Sequence, residues 1–112
     1  MNWDECLDAL ENRTGMYVPY PYFPSAVAFL TGFDLAQPER VLDGFSRWMS
    51  AQHNGSSLSL TSLVLQEHTG REDAGEYYRF REVSHDDQVR VVRHLCSRLR
   101  AYRAALDPVR PH

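Results

Sequence analysis

Five histidines, two cysteines, a scatter of serines and several carboxylates are the side chains of this 112-residue chain with the means to do chemistry. His53, His68, His85, His94 and His112 are spaced too widely for a zinc pair, and neither H-E-x-x-H nor C-x-x-C occurs. His94 and Cys96 stand two apart in a helical pattern, which turns their side chains away from each other. His85, beside Asp86 and Asp87, reads as part of a helix N-terminus. Ser56, Ser57 and Ser59 have no G-x-S-x-G elbow around them and read as turn and cap residues. Glu72, Asp73 and Glu76 fall in a polar stretch with Gly70 and Gly75, where surrounding water makes a carboxylate a poor general acid or base. No catalytic residue, metal ligand or cofactor is expected.

Binding chemistry is better represented. Asp4, Glu5, Asp8 and Glu11 occupy the outer faces of an N-terminal pattern whose apolar members, Trp3, Cys6, Leu7 and Leu10, recur at i, i+3, i+4 and i+7. Such a negative surface suits a basic protein partner, a nuclease for example. Tyr17, Tyr20, Tyr22 and Phe23 are interleaved with Pro19, Pro21 and Pro24. Tyrosine offers a large contact area with few rotatable bonds, and the prolines would hold the rings in place before binding. The plainer reading of the same residues is a cover over the core. A third set, Arg90, Arg93, Arg98 and Arg100, is expected on the exposed side of the last helix. Arginine forks there would either pair with the chain's own acids or grip an outside carboxylate or phosphate. The alternative function that this face allows is a small regulatory or nucleic-acid-associated protein.

The elements that must position these residues follow from apolar spacing and breakers. A first helix over Trp3 to Glu11 is predicted to stop in a turn at Gly15, with Met16 and Tyr17 anchored in the core. Residues 18–24 carry three prolines and are predicted to be an extended connector. Ser25 is the expected N-cap of a short helix through Val27, Phe29, Leu30 and Phe33, fading near Ala36. Pro38 fits the first turn of the next helix, with Val41, Leu42, Phe45, Trp48 and Met49 on one side and Gly44 free to permit close packing. After a loop at 53–57, Ser59 is expected to cap a helix carrying Leu60, Leu63 and Val64, in preference to a strand. Residues 69–76 read as a surface loop, and 77–83 has room for a minor strand. Ser84 then caps the clearest helix, with Val89, Val92, Cys96, Leu99 and Leu106 as its core stripe.

Composition sets the frame: 43% hydrophobic and 12% aromatic residues are enough for one core, so a single domain over 1–112 is predicted. All twelve basic residues are arginine, and isoleucine is absent as well, a pattern that points to a GC-rich coding sequence. With a net charge of −3 the chain lacks the basic footprint of nucleic-acid binding, and a nucleic-acid partner is not expected. Charge is polarised along the chain: residues 1–56 hold seven acids and three arginines, and 57–112 hold eight and nine. No apolar run is long enough to span a membrane. Two cysteines far apart and no signal-peptide pattern predict a soluble, cytoplasmic protein with buried, reduced thiols.

The stretch from Leu7 to Val18 resembles the start of the type II topoisomerase ATPase domain, where the text runs close to L-D-A-V-x-x-R-P-G-M-Y-I-G. Thr14 and Pro19 stand where that family has its proline and second glycine, the next helix offers only Asp34, and no D-x-G-x-G follows. ATP binding is therefore not expected. The turn Arg13-Thr14-Gly15-Met16-Tyr17, followed by Ala28-Phe29-Leu30-Thr31-Gly32-Phe33-Asp34-Leu35-Ala36, also resembles a group of small bacterial proteins, some of toxin-immunity type. That resemblance implies a protein that binds and blocks a partner, with no catalytic residues to carry over. The expected fold is an all-α, compact bundle of four to five short helices with a proline- and tyrosine-rich connector.

Overall fold

A computed structural model of the chain describes residues 1–71 and 83–106. Among them it forms an all-α fold of six helices: α1 (Trp3–Asn12), α2 (Thr14–Tyr17), α3 (Tyr22–Leu35), α4 (Leu42–Gln52), α5 (Leu60–Thr69) and α6 (His85–Ala105). The extended segment expected at 77–83 lies, except for Val83, outside the described residues. No described helix is long and apolar enough to cross a membrane.

Helix α6 is the centre of the packing, lying against α1, α3, α4 and α5. It buries Val91, Val92, Leu95, Cys96 and Leu99 together with Gln88, two adjacent positions per turn where a one-sided helix would bury one. The expected stripe had the right period and too narrow a face. Val89 is only half-buried, and Leu106 is exposed because the helix outruns its neighbours at that end. Onto α6 pack Cys6, Leu7 and Leu10 of α1, Phe23, Ala26 and Leu30 of α3, Phe45 and Met49 of α4, and Leu63 and Val64 of α5. Both thiols are buried and unbridged.

The two serine caps are present: the hydroxyls of Ser59 and Ser84 accept from the amides of Ser62 (3.2 Å) and Asp87 (3.1 Å). Gly70 closes α5 in the left-handed conformation, φ 72°, its amide donating to the Gln66 carbonyl at 2.8 Å. Three other expectations about helix ends are corrected. Helix α1 ends at Arg13, and Gly15 is not its stop but lies within α2, whose Thr14 hydroxyl donates back to the Leu10 carbonyl. Helix α3 starts at Tyr22, not after Ser25: the first amides of a helix have no partner within it, so Pro24 in the first turn removes nothing the helix needs. One of those amides, that of Phe23, is instead met by Gln88 Oε1 of α6 at 2.8 Å. Helix α4 starts at Leu42 rather than near Pro38, because its cap comes from α3. Asp34 Oδ1 accepts from the amides of Val41 (2.6 Å) and Leu42 (3.2 Å).

Gly44 does allow a close approach. A Cβ there would stand 2.1 Å from the Tyr102 hydroxyl, so α4 and α6 meet at a distance that only glycine permits.

Candidate functional site

The sequence left the arginine face of α6 either to the chain's own acids or to an outside group; the structure lays it against the acidic face of α1. Arg100 Nε and Nη2 donate to Glu11 Oε1 (3.0 Å) and Asp8 Oδ1 (2.5 Å), and Arg103 Nη1 donates to Asp4 Oδ1 at 2.7 Å. Arg93 Nε donates to the Glu11 carbonyl at 3.2 Å. Glu5 closes a capping box, its carboxylate accepting from the Asn2 amide while Asn2 Oδ1 accepts from the amide of Glu5. All four candidate acids thus have partners within the chain. The polarity counted along the sequence largely cancels in space, and what remains is a partly exposed seam of paired charges.

Arg98 belongs to a different group. Its Nε lies 3.1 Å from Glu67 Oε1, and its guanidinium sits 4.8 Å from the Trp48 ring centre. Glu67 also meets His94 Nε2 through Oε1 (2.9 Å) and His53 Nε2 through Oε2 (2.8 Å), so one carboxylate ties the end of α4 and α6 to α5. The next residue, His68, pairs with Asp87 of α6 at 3.1 Å. The chain therefore gathers three of its histidines where spacing alone gave no sign of it. The available signal was weak: His94 and Arg98 are four apart and share a helix face, but nothing in the sequence places Glu67 opposite them. The described residues contain no group of three or more His, Cys, Asp or Glu arranged to hold a metal ion.

Burial acts on Glu67 to raise its pKa, yet the hydrogen bonds from His94 and His53 and the charge of Arg98 outweigh it and hold the carboxyl below its ordinary value. A group whose folded pKa is depressed adds stability above its unfolded pKa and loses it as pH falls through the folded value. Acidifying from about pH 5 should accordingly cost the native chain more stability than it costs Glu67→Gln, as read from urea midpoints between pH 3 and 7. Parallel loss in both proteins would mean that the cluster does not fasten the helices. The thiols are unsuited to catalysis: burial pushes Cys6 up to about 11, and burial, aided by Glu11, pushes Cys96 up to about 12.

The tyrosine-proline connector presents the remaining candidate surface. Phe23 does not belong to it; it is 2% exposed and part of the core. Met16 and Tyr17, expected inside, are outside at 77% and 39% exposure, because the turn of α2 points them away from the bundle. Tyr20 is 45% exposed and held rigidly: its hydroxyl donates to the Val83 carbonyl at 2.6 Å, and its ring stacks on His85 at 4.0 Å. Half-buried Tyr22 stands edge-on to both Tyr20 (5.4 Å) and His85 (5.6 Å). His85, which the sequence offered only as a helix start, is thus part of an aromatic group with the tyrosines. Its neighbour on α6, Arg90, is exposed and lies 4.0 Å from Asp87.

Such a surface can bind by contact area and hydrogen bonding, without a reaction. No protein-family model, no curated protein and no solved structure matches this chain.

Proposed function

We propose that the protein is a non-catalytic binding module, of the immunity type that blocks a toxin or other effector, and that it binds a protein partner through Met16, Tyr17, Tyr20 and Tyr22. The observation that carries this reading is the exposure of large apolar side chains on rings already fixed in place, Tyr20 above all. Exposed aromatic side chains that lose little freedom on contact are the usual anchors of protein interfaces. Asp4, Glu5, Asp8 and Glu11, already paired or capping within the chain, add encounter rate and registry at the rim more than affinity. Of the four arginines that would serve a nucleic-acid reading, Arg93, Arg98 and Arg100 are engaged by α1 and Glu67.

The partner to test first is the product of the reading frame adjacent to this one, by calorimetric titration. The expected result is a complex, with Tyr20→Ala weakening it by about 2 kcal/mol or more, roughly thirtyfold. A complex that tolerates Tyr17→Ala and Tyr20→Ala but fails with Asp8→Asn would move the interface to the acidic helix.

A further inference from the structure

The far end of α6, about 30 Å from His85 at the helical rise, holds a second feature. An open hollow of about 430 Å³ lies between the start of α1, the α3–α4 turn and the last turn of α6. That volume falls within the range of sites for small molecules, roughly 300–1,000 Å³. The apolar part of its lining is Trp3, packed edge-on to Phe33 at 4.8 Å, with Pro38, Val41 and exposed Leu106. Gln37 and two charged groups of opposite sign, Arg103 and Glu39, complete the lining.

Arg103 offers five N–H donors, and among the described residues its partner is Asp4, met through Nη1 at 2.7 Å. Glu39 is exposed and pairs with none of the described residues. An apolar hollow with one cation and one anion is complementary to a molecule that carries both charges on an apolar body. A monoanion would meet Glu39 and Asp4 as like charges, and a monocation would meet Arg103. We propose that the hollow binds a small zwitterion with an apolar side chain, the class formed by apolar amino acids and their dipeptides, its carboxylate on Arg103 and its ammonium on Glu39.

The test is a titration of nitrogen-15-labelled protein with phenylalanine, leucine and the leucyl-phenylalanine dipeptide. Phenylpropionate and phenethylamine serve as the forms lacking one charge. The readout is the indole N–H of Trp3, with that of Trp48 as an internal control. The expected result is a saturable shift at Trp3 alone, with the zwitterion binding about tenfold tighter than either singly charged analogue. Saturation by the free amino acids or by the dipeptide supports the proposal, and the tighter of the two gives the spacing of the charges. Arg103→Gln and Glu39→Gln should each weaken binding about tenfold; Glu39→Gln changes an unpaired surface residue and leaves the fold unaffected. No saturable shift at millimolar ligand, or equal affinity for phenylpropionate and phenylalanine, would overturn it.

Discussion

Phe23→Ala is expected to lower stability by about 3–5 kcal/mol, the range for removing a buried aromatic side chain and leaving part of its volume empty. The sequence groups Phe23 with its tyrosine neighbours, but the start of α3 turns it inward, where it is 2% exposed among Ala26, Leu30 and the α6 side chains. Its amide is bonded to Gln88, so the residue also fixes where α3 begins against α6. Tyr20→Ala, only three residues earlier, removes an exposed ring stacked on His85 and one hydrogen bond, and should cost about 1 kcal/mol. Urea midpoints of the two variants separate a core residue from a surface one. Similar midpoints would mean that the connector is not divided as described.

Gly44→Ala is the second large effect, and its sign runs against helix propensity. Alanine is favoured over glycine in a helix by about 1 kcal/mol. Here, however, the new methyl group would meet the Tyr102 hydroxyl at 2.1 Å and its Cζ at 3.2 Å. Tyr102 has little room to retreat, since its ring packs against Phe45 (5.8 Å) and Trp48 (5.7 Å). Overpacking of this kind costs about 1–3 kcal/mol, and an approach this close belongs at the upper end of that range, so it outweighs the propensity gain and a net loss is expected. Tyr102→Phe in the Gly44→Ala background removes the nearer atom and should restore a large part of it. An alanine variant that unfolds at higher denaturant than the native chain would show that α4 and α6 are not so close.

Those two positions illustrate what a single sequence carries and what it does not. Helix existence and the apolar faces of α1, α4 and α6 were legible because spacing at i, i+3, i+4 and i+7 reflects burial directly. The caps at Ser59 and Ser84, and the close approach at Gly44, were legible for the same local reason. Helix starts were missed where the capping group is remote: Asp34 for α4 and Gln88 for α3 lie in other helices, and no local signal announces them. Met16 and Phe23 exchanged inside for outside for separate reasons: Gly15 lies within α2, whose turn carries Met16 outward, and α3 begins at Tyr22, which makes Phe23 part of a helix packed on α6 rather than of an extended connector. Charge was read as a property of segments, although its effect depends on which segments touch. The pairing of Asp8 and Glu11 with Arg100, some ninety positions away, turned two candidate sites into one internal seam.

The most direct measurement of the binding role is amide hydrogen exchange of this protein, alone and in complex with the product of the adjacent reading frame. The expected result is slowed exchange across residues 16–22 and at the start of α6 near His85. Slowing confined to α1 and the outer face of α6, with Tyr17 and Tyr20 unaffected, would contradict the tyrosine surface as the point of contact.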